Sequence, residues 1–222
     1  DCCVALDAGE IARADQAMSS NSASALRAIR ILRTTPADAS VSSVSAIPLA
    51  DGFSVEGLYQ QQDRLLALTA SNWWGTFGDQ SLQAWVGEST GLQLYDLSDP
   101  ANPADLAQVS IEGALITSRK TAAGVHIVSR HSPSIDGFVY YPSNEEDKAK
   151  NETLLQNLSW DDLLPKVLED GVALALFNAG NCFSIDADHP LAPEQLGYPT
   201  VTTVVTISPD TGAVTDGLCY LE

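Results

Sequence analysis

Leu92-Gln93-Leu94-Tyr95-Asp96-Leu97-Ser98-Asp99-Pro100-Ala101-Asn102-Pro103 decides the fold class. Its first half alternates apolar and polar residues, the period of a strand with one face buried. Its second half gathers Asp, Ser, Asn and Pro, which close turns by side-chain capping and a preset φ. A return strand follows from Leu106 to Ile111, so the stretch reads as a hairpin. The same plan occurs earlier, with Leu26 to Leu32 and Val41 to Ile47 joined by Thr34-Thr35-Pro36-Ala37-Asp38. It recurs later, where Val201 to Ile207 meets Ser208-Pro209-Asp210-Thr211-Gly212. Three hairpins of one design point to a repeat.

A second kind of hairpin alternates with the first. Ser54-Val55-Glu56-Gly57 leads into Leu58-Tyr59, a polar turn at Gln60 to Asp63, and Arg64 to Thr69. Ser110-Ile111-Glu112-Gly113 leads into Ala114 to Ile116, a turn near Lys120 to Gly124, and Val125 to Ser129. The two Ser-(Val/Ile)-Glu-Gly tetrads begin 56 residues apart, at 54 and 110. The repeating unit therefore reads as two hairpins, a turn-rich one followed by a Glu-Gly one, which is the make-up of a propeller blade. The expected fold is all-β: a propeller-like array of four-stranded antiparallel blades in an incomplete ring. Residues 1–25, rich in Ala and Ser, are expected to be weakly structured, and the domain to run over 26–222 with an insertion at about 132–200.

Within that insertion, acidic residues after Ser143-Asn144 predict a polar helix reaching about Leu158. Ser159-Trp160-Asp161-Asp162 reads as a capped start for a helical turn or two over Leu163 to Leu168, limited by Pro165. Val172 to Phe177 reads as a further strand. Long insertions in β-repeat proteins emerge at one end of the strands, where binding loops gather.

The runs Glu56-Gly57-Leu58-Tyr59…Asp63-Arg64-Leu65 and Leu94 to Pro103, followed by Asp162-Leu163-Leu164-Pro165 and Thr202 to Ile207, carry a family resemblance. Over about residues 26–220 the chain resembles secreted bacterial and archaeal proteins with a C-terminal β-propeller domain. The resemblance implies an extracytoplasmic propeller and supplies no catalytic residues. The family's domain is more than twice as long as this chain. With two blades and a half in sight, and four to eight usual for a ring, the chain is expected to be part of a longer protein or to self-associate through its exposed blade faces.

Composition narrows the function. Eleven basic against 29 acidic residues give a net charge of −18, which excludes a phosphate-binding surface for nucleic acid and disfavours an anionic membrane. No stretch is long and apolar enough to span a bilayer as a helix. Four cysteines without a CxxC pair offer no zinc spacing and suit disulfide use outside the cytoplasm. Cys182 and Cys219 flank the third hairpin and are expected to be joined, leaving Cys2 and Cys3 for each other or for a partner.

The candidate ligand contacts are Trp73, Trp74, Phe77 and Trp85, aromatics crowded into one loop that form either a platform for a sugar or peptide or a plug between blades. Asp186 and Asp188, beside His189, are the candidate metal ligands. They offer oxygens to Ca²⁺ but lack the glycine and bidentate glutamate of a calcium loop, and a plain surface turn is the simpler account. Ser, His and Asp occur without a nucleophile elbow, and His126 sits in an alternating strand while His131 reads as loop. No catalytic residue and no cofactor is named. The leading function is a non-enzymatic binding or scaffold module of secreted, periplasmic or cell-envelope location, meeting a protein or carbohydrate. The alternative is a metal-assisted hydrolase whose site is completed by absent blades.

Overall fold

The computed structural model describes residues 2–6, 27–50, 53–71, 88–169, 172–176, 178–185 and 198–221. Three antiparallel hairpin systems organise them. The first sheet holds β1 (Cys2–Leu6), β2 (Ala28–Thr35) and β3 (Ser40–Pro48), in that order. The second is a meander of β4 (Phe53–Gln61), β5 (Arg64–Ser71), β6 (Ser89–Asp96) and β7 (Ala104–Glu112). The third joins β8 (Ala114–Thr121) and β9 (Gly124–His131) to β13 (Val201–Ile207) and β14 (Val214–Leu221). The insertion supplies α1 (Glu145–Gln156), α2 (Trp160–Leu163), β10 (Lys166–Glu169), β11 (Val172–Ala175), a 3₁₀ turn at Ala179–Asn181, and β12 (Cys182–Ser184). β10 and β11 extend the second sheet beyond β7, and β12 lies parallel to β14 at the edge of the third.

The sheets stack face on face, with β5 near the centre. Leu65, Leu66, Ala67 and Leu68 are all 0% exposed. Side chains alternate across a strand, so Leu65 and Ala67 face one way and Leu66 and Leu68 the other. Leu65 and Ala67 pack with Ile29, Ile31 and Ile47 of the first sheet. Leu66 and Leu68 pack with Val125, Ile127, Val205 and Ile207 of the third. This two-sided burial explains why Leu65–Leu68 is an unbroken apolar run, whereas β9 from Val125 onward and β13 alternate and bury one face fully. The stack is the packing of successive propeller blades, and the described sheets do not close into a ring.

The turn-rich hairpins form for local reasons. Asp96 Oδ1 accepts from the Ser98 amide at 2.8 Å, and Asp99 Oδ1 from the Ala101 amide at 3.1 Å. These bonds hold both carboxyls below the usual carboxylate range; the Ser98 backbone bond leads at Asp96, with the Arg64 guanidinium 2.7 Å away adding to it, and the Asn102 amide leads at Asp99. Two consecutive Asx turns thus account for the Asp-Leu-Ser-Asp-Pro motif.

The structure corrects the pairing phase. Each Glu-Gly hairpin bonds to the turn-rich hairpin that follows it, β5 to β6 and β9 to β13, rather than to the one before. The tetrads are not equivalent positions either. The β4–β5 and β8–β9 turns, at 62–63 and 122–123, stand 60 residues apart, and both hairpins carry a bulge at matching sites, Glu56 and Ile116. Glu56 is that bulge, whereas Glu112 ends β7 and Gly113 is the single residue between sheets. Gly113 has φ +116°, and a Cβ there would lie 2.8 Å from the Arg130 carbonyl oxygen, so glycine is required at this corner.

In the insertion, α1 starts at Asn144, whose side chain accepts from the Asp147 amide at 2.8 Å. The helix expected through Leu168 stops at Leu163, because Pro165 blocks continuation, and Lys166–Glu169 instead forms β10. Cys2–Leu6, within the segment expected to be weakly structured, forms β1 and pairs with β2. Cys182 and Cys219 are joined, with Cα atoms 4.4 Å apart, and tie β12 to β14.

Leu66→Ala is expected to lower the unfolding free energy by about 2–5 kcal/mol, because the cavity opens between two packed sheets. Val41→Ala, at a residue 62% exposed, should change it by less than about 0.5 kcal/mol. Urea melts of both variants check the contrast. Cys182→Ser is expected to cost roughly 3–4 kcal/mol, by freeing the chain between the two cysteines in the unfolded state.

Candidate functional site

Strand direction separates the two ends of the stack. At one end the turns are short: 36–39, 62–63, 97–103, 122–123 and 208–213. The turn ends of the second and third sheets meet there, since Gln61 Nε2 donates to Asp210 Oδ1 at 3.0 Å, and the 97–103 turn reaches the middle of β3, where Ser45 Oγ donates to the Pro100 carbonyl at 2.6 Å. At the other end lie the ends of β1, β5 and β9 and the starts of β2, β6 and β13. The long connections 7–27, 72–88 and 132–200 all leave from this second end. Trp73, Trp74, Phe77 and Trp85 belong to the second of them and lie outside the described residues, as do Asp186, Asp188 and His189. The expectation that the insertion leaves from the end carrying the loops agrees with this topology.

Recesses open at two places in the described part that bear on function. A 190 Å³ cleft is bounded by Leu49, Ala50 and Phe53, where the first sheet passes to the second, and by Thr69, Ser89, Gln93, Gln108 and Ser110. Thr69, Gly91 and Ser110 form one cross-strand row, and Gln93 and Gln108 are directly opposed in the next. Tyr95 Oη donates to Gln93 Oε1 at 2.5 Å. Burial, with the Asp105 charge, raises the Tyr95 phenol to about 12, so it stays protonated and fixes the amide. The lining contains hydroxyls, amides and one aromatic ring, and no charged side chain. The segment carrying the tryptophans joins the end of β5 at Ser71 to the start of β6 at Ser89, and Ser89 belongs to the cleft wall.

The second recess, 360 Å³, lies within the insertion. Leu164, Pro165, Ala173, Ala175 and Ala179 line it, with Asp161 and Lys166. Backbone, side-chain and aromatic contacts hold the described part of the insertion. The Lys166 amide donates to Glu112 Oε2 at 2.9 Å. Asn151, buried on α1, accepts from the Val139 amide at 2.8 Å and donates to its carbonyl at 2.7 Å. Tyr198 is buried among Phe138 and Tyr140 and donates to the Pro133 carbonyl, and Tyr140 Oη donates to Tyr198 Oη at 3.2 Å. Burial pushes the Tyr198 phenol well up.

Among the described residues, no group of three or more His, Cys, Asp or Glu side chains comes together. His126 bridges two threonines, with Nε2 2.8 Å from Thr121 Oγ1 and Nδ1 3.0 Å from Thr206 Oγ1. His131 corrects its expected place. It is not in a loop but is the last residue of β9, 8% exposed, with Nδ1 buried and unbonded. Sequence reasoning missed it because Ser132-Pro133 looks like a loop start, although His131 continues the alternation of Val125, Ile127 and Ser129.

A family model described as a beta propeller domain matches residues 9–221. The chain belongs to the beta propeller domain family. No curated protein and no solved structure matches it. In propeller terms, β4–β7 and β8, β9, β13, β14 are two four-stranded blades, and the long connections join the second and third strands of each.

Burial lowers the His131 pKa from 6.5; the Glu112 charge opposes the shift and Lys166 reinforces it. A depressed imidazole binds protons more readily in the unfolded chain, so its contribution is present above the ordinary value and lost as pH falls below it. Stability in urea is expected to drop between about pH 7.5 and pH 5.5, and His131→Leu to flatten that part of the profile.

Proposed function

We propose that this chain is a non-enzymatic binding or scaffold module that acts outside the cytoplasm, as part of the secreted or cell-envelope complement, and meets a protein or carbohydrate at its loop end. The observation that carries the reading is the asymmetry of the stack: every long connection leaves from one end, and the other end has only short turns. Binding residues favour loops that a rigid scaffold positions. The sheets supply that scaffold through β5. The 190 Å³ cleft at the loop end offers neutral hydrogen-bonding groups against Phe53, chemistry suited to an uncharged polar ligand. Trp73, Trp74, Phe77 and Trp85 belong to the connection that rejoins the second sheet at Ser89, a residue of the cleft wall, and aromatic faces complement sugar rings and peptide side chains. The Cys182–Cys219 bridge supports an oxidising compartment. The net charge of −18 argues against phosphate-rich partners. No helix of the described residues is long and apolar enough to cross a membrane.

Glycan and peptide arrays probed with the labelled protein test the reading. Retained ligands are expected to lose at least about tenfold in affinity, some 1.4 kcal/mol, on Trp74→Ala or on the paired Phe53→Ala and Gln108→Ala. Asp210→Ala at the turn end should leave binding unchanged. Binding that survives the loop-end changes and fails with the turn-end one would place the surface at the wrong end and overturn the proposal.

A further inference from the structure

β11 is an edge strand, bonded to β10 on one side and to no described strand on the other. All four of its residues are exposed, with Val172 at 57% and Leu174 at 46%. Unpaired strand edges template further pairing, and proteins blunt them with bulges, prolines, charges or covers. The other edges whose side chains are described all carry such a device. β3 ends at Pro48 and bulges opposite Ile31/Leu32. β4 bulges at Glu56, and Lys120 Nζ covers its Gln60 carbonyl at 2.6 Å. β8 bulges at Ile116 and carries Arg119 and Lys120. β12 has only three residues and is held by the disulfide. Val172-Ala173-Leu174-Ala175 has no charge, no proline and no bulge.

We propose that β11 pairs with β11 of a second copy of this chain, antiparallel about a two-fold axis between Ala173 and Leu174. The sequence is self-complementary in that register. Val172 falls opposite Ala175 of the second copy and Ala173 opposite Leu174, so each cross-strand pair sets a large side chain against a small one. The flanking charges match as well. Within each copy, β10 places Glu169 beside Val172 and Lys166 beside Ala175, so each row runs from an acidic end in one copy to a basic end in the other. A two-fold contact uses the same edge on both chains and closes, leaving no β11 edge free to propagate. The inference does not depend on the loop-end binding reading.

The net charge of −18 sets the conditions. Two such chains repel, and salt screens the repulsion without weakening an apolar strand pair. Dimerisation should therefore strengthen as salt rises, the reverse of association through salt bridges. Sedimentation velocity of the full chain over a concentration series, at about 0.05 M and about 0.5 M sodium chloride, reads this directly. The expected result is a monomer–dimer equilibrium whose dissociation constant falls at high salt, with β11 amides slowed in hydrogen exchange as dimer forms. Leu174→Lys is expected to raise that constant by at least about tenfold, and Ala173→Pro to abolish dimer; an unchanged exchange pattern in β5 and β9 shows that each variant is folded. A monomer at all concentrations and both salts, a dimer that weakens with salt, or a dimer indifferent to both variants would each overturn the proposal.

Discussion

Leu65, Leu66, Ala67 and Leu68 form one short strand that serves two interfaces at once. The first sheet rests on Leu65 and Ala67, the third on Leu66 and Leu68, and none of the four is exposed to solvent. A half-buried sheet needs only alternate apolar residues, but a sheet with neighbours on both faces needs an unbroken run. The remaining architecture is a consequence. With β5 central, β4 and β6 must lie beside it, the connection from the first sheet must cross in the few residues between Pro48 and Phe53, and the passage to the third must bend at Gly113.

The hairpins themselves were legible in the sequence because they are local. Period-two alternation gives the strands, and Asp, Ser and Pro give the turns through short bonds such as Asp96 to Ser98 and Asp99 to Ala101. What joins hairpin to hairpin is not local. Whether β5 bonds to β6 or to an earlier strand depends on how three sheets share their faces, and no neighbouring residue encodes that choice. The tetrads at 54 and 110 misled for the same reason: one Glu-Gly pair sits at a bulge and the other at a corner between sheets, two different uses of similar chemistry. The stretch from Pro165 to Glu169 turned on tertiary contact as well, since pairing of Val167 with Ile111 fixes β10 as a strand.

The candidate site was legible in part. Aromatic crowding at Trp73 to Trp85 and the length of the insertion were visible in the sequence, and the topology sends both connections from one end. The cleft near that end was not visible, because Phe53, Thr69, Gln93 and Gln108 come from four different strands and acquire a shared wall only through register. His131 was hidden by the opposite effect. Its neighbours Ser132 and Pro133 carry loop chemistry, yet Val201 pairs with it and draws it into the core.

The anchoring of the described part of the insertion follows from where its polar groups are spent. A connection of this length between two strands would ordinarily carry a large ordering cost on binding, which subtracts from affinity. Here Asn151 saturates both backbone groups of Val139, Tyr198 is packed against Phe138 and Tyr140, the Lys166 amide is bonded to Glu112, and Cys182 is tied to Cys219. Each anchor joins a different described part of the insertion to itself or to a blade, so breaking one leaves the others in place. For the described residues of the insertion, the ordering cost is met when the chain folds. That arrangement suits a module that recognises a partner by form, and it leaves β11 held at the outer edge as a fixed strand with its backbone turned outward.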